Sequence, residues 1–267
     1  MTTFSELSNL SGRTALITGA AGGLGKVFAE TLAELGANLL LVDLPGSDLN
    51  TLNKELIDRW QIDAMSFHCN LESGSQRSDL IEKILPFTDD LNILINNAAF
   101  LGGNDLPGWA VDFEDQSIDS WRRALEVNLT ASFDLCQGFY PKLKASRGSS
   151  IINVASIYGM LGPDWSLYSG TNMGNPAAYG ASKGGLIQLT RWLATTIAPE
   201  VRVNAISPGG IFRNQENDFV RRYESKTPLR RMATEDDFRG IIAFLASDLS
   251  RYVTGQVFSV DGGWTAW

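Results

Sequence analysis

One histidine and two cysteines are all that 267 residues hold of the side chains most often used as transition-metal ligands or strong nucleophiles. His68 stands on a strand with no companion at ligand spacing, so no metal site is expected and His68 reads as a core residue. Cys69 and Cys136 have no paired spacing; they read as reduced, buried thiols of a cytoplasmic protein. No apolar run approaches a membrane span, and the start, Met-Thr-Thr-Phe-Ser-Glu, lacks a basic region followed by an apolar one. Basic residues are also in deficit: 22 Lys and Arg face 30 Asp and Glu, a net charge of −8. That balance argues against nucleic acid or an anionic membrane as partner. Repeats, linkers and low-complexity segments are absent, and residues 1–267 read as one domain.

What is present is an alternation of short apolar runs and amphipathic stretches. Arg13–Thr18 runs into Gly19-Ala-Ala-Gly-Gly23-Leu24-Gly25, after which Leu24, Val27, Phe28, Leu32 and Leu35 recur at helical spacing up to Gly36. A strand, a glycine turn and a helix together present free N–H groups and a helix N-terminus to a phosphate. The next strand, Asn38–Asp43, ends in a carboxylate 18 residues after Gly25. An acid there accepts hydrogen bonds from adenosine ribose hydroxyls and repels a 2′-phosphate, which favours NAD over NADP; the plain alternative is a solvated strand end. Further strands are expected at Ala64–His68, Leu91–Ile95, Ser149–Ala155, Val201–Ile206 and Val257–Val260. Helices are expected near Ser75–Leu85, Ser117–Lys144, Pro176–Ala198 and Thr234–Ala246, with Thr234 as N-cap and Asp237 three residues on. Such repeated units predict an α/β fold with a parallel sheet covered on both faces.

Chemistry is expected at Tyr179 and Lys183, four residues apart and so on one helix face. An ammonium beside a phenol favours the phenolate, and moving a phenol from pKa 10 to 7 needs roughly 4 kcal/mol. The hydroxyl of Ser156, at the end of a strand, would hold a substrate oxygen. The pair Tyr140 and Lys144 has the same spacing, but Pro141 and the polar run after it suggest a fraying helix end and a structural role.

Taken together, Thr18-Gly-x-x-x-Gly23-x-Gly25, Asn96-Asn-Ala, Asn128 in Val-Asn-Leu, Ser156, Tyr179-x-x-x-Lys183 and Pro208-Gly209 resemble the short-chain dehydrogenase/reductase family along essentially the whole chain. The resemblance implies a single Rossmann-like, doubly wound sheet of about seven strands, usually assembled as a homotetramer, and a homo-oligomer, tetramer or dimer, is expected here. It implies Tyr179 as acid/base, Ser156 as oxyanion partner, Lys183 on the nicotinamide ribose, and Asn128 holding a water that links Lys183 to solvent. Cofactor contacts would come from Gly19, Gly23, Leu24, Gly25, Asp43, Asn70, Leu71, Asn97, Ala98, Tyr179, Lys183, Pro208, Gly209 and Ile211. Asn70 stands where many relatives have Asp, Ala99 where Gly is usual, and Arg213 where a Thr is frequent near the cofactor phosphates.

Two long connections, Phe100–Ser117 and Gly162–Met173, leave carboxyl ends of strands and would wall the substrate pocket. They hold Trp109, Trp165 and Tyr168 beside Asn104, Asp105, Asp164, Asn172 and, just beyond, Asn175. Aromatic faces with amides and carboxylates suit a polyhydroxylated ligand, although the same residues equally serve to pack the loops. The runs Tyr168-Ser-Gly-Thr-x-Met173, Ser207-Pro-Gly-Gly-Ile-Phe212 and Val260-Asp-Gly-Gly-Trp-Thr-Ala-Trp267 resemble dehydrogenases of flagellin-modification and surface-sugar pathways, a narrower likeness that implies sugar metabolism. Arg221, Arg222, Arg230 and Arg231 read as a solvated helix face rather than an anion site. Trp264 and Trp267 are expected at an oligomer interface or closing over a pocket. Competing functions are an NADP-preferring acyl-carrier-protein ketoreductase and a dinucleotide-binding protein without turnover.

Overall fold

The computed structural model describes residues 2–88, 90–102 and 106–267. After a short N-terminal helix α1 (Phe4–Ser8), strands and helices alternate as β1 (Thr14–Thr18), α2 (Gly23–Glu34), β2 (Asn38–Asp43), α3 (Leu49–Trp60), β3 (Ala64–His68), α4 (Gly74–Ile84) and β4 (Ile93–Asn96). The second half runs α5 (Ile118–Leu125), α6 (Ala131–Ala145), β5 (Ser149–Val154), α7 (Ala177–Thr196), β6 (Val201–Pro208), α8 (Asn217–Lys226), α9 (Arg239–Ala246) and β7 (Val257–Val260).

All seven strands pair in parallel, in the order β3-β2-β1-β4-β5-β6-β7. The strands read as unbroken apolar runs because both faces are covered. Alternation still sorts them: Ala15 and Ile17 of β1 and Ile93 and Ile95 of β4 pack with Phe28 and Leu32 of α2 and Ile242 of α9. Leu16, Leu94 and Ile151 point the other way, onto Leu135 and Phe139 of α6 and Leu193 of α7. The chain winds outward from β1 in both directions, so the connections that leave β1 and β4 diverge and a crevice opens above their carboxyl ends. Among the described residues no helix is long and apolar enough to cross a membrane.

Several expectations are corrected. The helix expected over Ser117–Lys144 is two helices, α5 and α6, joined by a π-helical turn, Glu126–Thr130, which carries Asn128. Arg77 of α4 holds that turn from the side, with its buried guanidinium 2.8 Å from Glu126 and 2.5 Å from Asp134. Pro141 does not end α6, which runs on to Ala145; burial of Phe139 and Leu143 on the same helix outweighs one missing hydrogen bond. His68 is exposed rather than in the core, because β3 is an edge strand, and its Nδ1 meets Leu44 O at 3.1 Å. The stretch Thr234–Ala246 opens with a 3₁₀ turn, Glu235–Phe238, before α9, with Thr234 and Asp237 forming the capping box. Both cysteines are buried and free.

Candidate active site

The cleft begins at the end of β1. Gly19 takes φ +64, and a Cβ there would lie 2.9 Å from Ala98 Cα, so glycine lets the turn lie against the end of β4. Thr18 Oγ1 accepts the N–H groups of Asn97 (3.0 Å) and Ala98 (3.1 Å), while Asn97 Nδ2 donates to Thr18 O and Gly19 O. The two strand ends are thereby stitched together below the crevice. Gly22 caps α2 without a side chain, which leaves the N–H groups of the first turn free for an anion. Gly25 does not face the cleft: a Cβ on it would fall 2.0 Å from Gly19 O, so its role is close packing of helix on turn.

Asp43 closes the adenosine side. Its carboxylate accepts Ala21 N–H and Leu44 N–H, each at 2.7 Å, and so is fixed against the glycine turn. The cleft, about 950 Å³, is lined by Gly19, Gly23, Leu24, Asp43, Asn70, Leu71, Asn97, Ala98, Ser156, Tyr179, Lys183, Pro208, Gly209 and Ile211. Its glycine cradle, free helix donors and anchored carboxylate fit a dinucleotide. Residues the sequence reading missed also line it, among them Ser47, Cys69, Glu72 and Arg123. Arg123 and Glu72 pair at 2.8 Å, and only the fold brings α5 beside the loop after β3.

Ser156 follows β5, and Tyr179 and Lys183 lie in the first two turns of α7. Ser156 is buried, and its hydroxyl oxygen accepts Tyr158 N–H at 3.2 Å. Lys183, 2% exposed, donates from Nζ to Val154 O at 2.7 Å and lies 5.9 Å from the Tyr179 ring centroid. The electrostatics reverse the expected order. Burial pushes the Tyr179 phenol up, opposed by the Ser156 hydroxyl and then by the Arg213 guanidinium. Burial likewise brings the Lys183 ammonium down to about 8. In the protein alone, desolvation outweighs the pull of a neighbouring cation on the phenol.

Asn128 does not line the cleft. Its Oδ1 accepts Phe100 N–H at 2.6 Å and its Nδ2 donates to Ser182 Oγ at 2.9 Å. Ser182 in turn donates to Tyr179 O at 2.8 Å. The amide thus ties the loop after β4 to the turn of α7 that holds Tyr179.

Beyond Ser156 and Tyr179 opens a pocket of about 290 Å³, walled by Trp109, Tyr158, Tyr168, Met173, Asn175, Phe219, Tyr223 and Met232. The Tyr158 and Tyr168 hydroxyls lie 2.8 Å apart, and Asn175 Nδ2 donates to Tyr168 OH at 3.2 Å. Tyr223, pushed up to about 12 chiefly by burial, accepts Gly210 N–H at 2.6 Å and stacks on Trp264 at 4.4 Å. Trp264 is therefore a back wall, while Trp267 is exposed. Of the loop residues named from composition, Trp109, Tyr168 and Asn175 reach this pocket. Trp165 is exposed outside it, Asp164 pairs with Lys226, and Asn172 N–H donates to Glu216. Asn104 and Asp105 lie outside the described residues. Phe219 and Tyr223 went unread because charge dominates α8, although their spacing of four is itself a helical apolar signal. The arginines divide: Arg221 is solvated beside Asp218, whereas Arg222 donates to Leu167 O (3.1 Å) and Ser169 O (2.5 Å), and Arg231 forks onto Asp237. Arg230 donates to Ser225 O at 2.6 Å.

Comparison with known proteins agrees with this geometry. A family model described as enoyl-(acyl carrier protein) reductase matches residues 19–265. The chain is 30% identical over 259 residues to the 3-oxoacyl-acyl-carrier-protein reductase FabG of Aquifex aeolicus, spanning 95% of this chain and 98% of that one. It superposes on a short-chain type dehydrogenase/reductase from Mycobacterium marinum with a TM-score of 0.86 at 26% identity, each chain covered completely. A structure assigned as an NAD(P)-dependent gluconate 5-dehydrogenase from Beutenbergia cavernae, with bound NADP, gives 0.85 at 30% identity over 98% of this chain and all of that one. With the glycine turn, the Ser156–Tyr179–Lys183 grouping and the seven-stranded sheet in one molecule, the chain belongs to the short-chain dehydrogenase/reductase family, oxidoreductases that use a nicotinamide dinucleotide.

Proposed function

We propose that the protein is an NAD(H)-dependent oxidoreductase that interconverts an alcohol and a carbonyl on a small polar substrate, a sugar or sugar derivative. The convergence of Ser156, Tyr179 and Lys183 where the dinucleotide cleft meets the aromatic pocket carries this reading. When bound, the nicotinamide dinucleotide supplies or accepts the hydride. Ser156 Oγ orients the substrate oxygen, and Tyr179 gives that oxygen a proton on reduction or takes one on oxidation. Lys183 holds the nicotinamide ribose and biases Tyr179 towards its ionised form once the cleft is filled. The Asn128 side chain positions Tyr179 through Ser182.

For the sugar, the support is a pocket with no charged side chain among the described residues of its walls, which combine aromatic faces with the neutral polar groups of Tyr158, Tyr168, Asn175 and Gln215. For NAD, it is the Asp43 carboxylate fixed beside the ribose site, where it would repel a 2′-phosphate. The reading includes a cytoplasmic homo-oligomer, a dimer or tetramer, for which exposed Trp267 and Tyr252 offer apolar contact. The second reading, a 3-oxoacyl-acyl-carrier-protein reductase using NADPH, is favoured by the reductase relatives.

One measurement separates them. The purified protein is titrated with NADH and NADPH by fluorescence, then assayed at 340 nm against sugar-derived carbonyls and a 3-oxoacyl thioester. Tighter NADH and turnover of a sugar carbonyl are expected. Tighter NADPH with thioester turnover transfers the assignment to the second reading, and normal NADH binding without any turnover ends the enzymatic proposal.

A further inference from the structure

Arg213 is not one of the proposed proton-transfer groups, although its charge pulls the Tyr179 phenol down, and its position is set by the loop after β6. Gln215 pins that loop from both sides, accepting Arg213 N–H at 2.7 Å and donating from Nε2 to Ile211 O at 2.7 Å. Phe212 N–H donates to Ala233 O at 2.8 Å, which ties the same loop to the segment leading into the Glu235 turn. The Arg213 guanidinium is thereby carried across to the glycine turn, where Nε lies 3.1 Å from Glu235 Oε1. A methyl group on Gly23 would come within 2.7 Å of that carboxylate oxygen and 2.9 Å of Arg213 Nη2. A cation and an anion thus rest together against the first residue of α2. The guanidinium lines the cleft and its charge reaches Tyr179, whereas Glu235 is not among the lining residues.

A diphosphate on the first turn of α2 would meet the helix donors from one side and this guanidinium from the other. Glu235 would then be a rival: both anions offer paired oxygens to the planar fork of one arginine. The geometry points to Arg213 as an ionic clamp on the cofactor diphosphate, with Glu235 as an internal anion that holds the guanidinium in place and yields it to the dinucleotide. This rests on the dinucleotide reading and adds a charge-based, competitive control of cofactor affinity.

The test is binding, not turnover. Wild type, Arg213→Ala, Arg213→Lys and Glu235→Gln are titrated with NADH, ADP-ribose and adenosine at low and high salt. In Arg213→Ala, NADH and ADP-ribose weaken by about tenfold or more while adenosine is unchanged; Arg213→Lys recovers part of the loss. Glu235→Gln tightens NADH and ADP-ribose several-fold, and added salt weakens ADP-ribose binding to wild type more than to Arg213→Ala. Equal losses for adenosine and ADP-ribose in Arg213→Ala, or weaker ADP-ribose binding in Glu235→Gln, overturn the clamp and leave the pair as a brace for the loop. Because ADP-ribose carries no nicotinamide, this series reports on the clamp even if the proposed reaction fails.

Discussion

At Tyr179 two effects of opposite sign meet, and their balance sets when the residue is reactive. Burial raises the phenol, and the nearby Lys183 ammonium is itself pushed down to about 8 with Val154 O as its hydrogen-bond partner. Near pH 7 the Lys183 amine still carries its proton for the most part, and the phenol stays neutral because burial outweighs the groups that pull it down. Tyr179→Phe keeps the ring and removes the proton carrier. Turnover should fall by about 10²–10⁴-fold with NADH affinity unchanged; a variant with wild-type kcat would remove Tyr179 from the mechanism. The pairing of Tyr179 with Lys183 was legible from spacing alone, because a helix places residues four apart on one face. The direction of the phenol shift was not, because it depends on how many atoms of other elements exclude water.

At the level of elements, what shapes the substrate pocket is a helix and a loop docked on each other. Arg222 of α8 crosses to Leu167 O and Ser169 O, Lys226 pairs with Asp164, and Tyr168 packs on Phe219 at a centroid distance of 5.5 Å. Arg222→Ala removes two of these ties, a loss of about 1 kcal/mol in loop docking. The expected result is a several-fold rise in substrate KM, with NADH affinity and the kcat of bound substrate little changed; a fall in kcat at constant KM would place the loop in the chemistry instead. The alternation of strands and helices was readable from apolar runs and glycine punctuation. The π-turn at Glu126–Thr130 was not, since no residue type there signals it: it is imposed by Arg77 and by the Asn128 amide seeking Phe100 and Ser182.

For the whole molecule, the buried Lys183 makes a prediction about stability and pH. Its ammonium is brought from an ordinary 10.5 down to about 8, a burial cost on the order of 3 kcal/mol. Between pH 8 and 10.5 the folded chain has released this proton while the unfolded chain still binds it, so the Lys183 contribution to stability rises with pH. Tyr179 acts oppositely: raised above its ordinary 10, it keeps a proton that the unfolded chain loses, and stability declines above pH 10. Read between pH 7 and 10 by thermal melts, wild type should gain on Lys183→Met as pH rises past 8. A difference that stays flat across that range would contradict the buried ammonium.

The order of apolar runs, the glycines after β1, the acid ending β2 and the Tyr–Lys spacing were determined by the amino-acid sequence itself, because each acts over a few residues through backbone geometry or helix periodicity. The tertiary structure alone decided that His68 lies on an exposed edge, that Asp43 is fixed to the glycine turn, and that Arg213 and Glu235 meet over Gly23. Those outcomes depend on which strands become neighbours and which loops land on one sheet edge. Contacts between residues 22 to 212 positions apart leave no trace in local pattern; they follow from the doubly wound order that gathers the carboxyl ends of β1, β2, β4, β5 and β6 around one crevice.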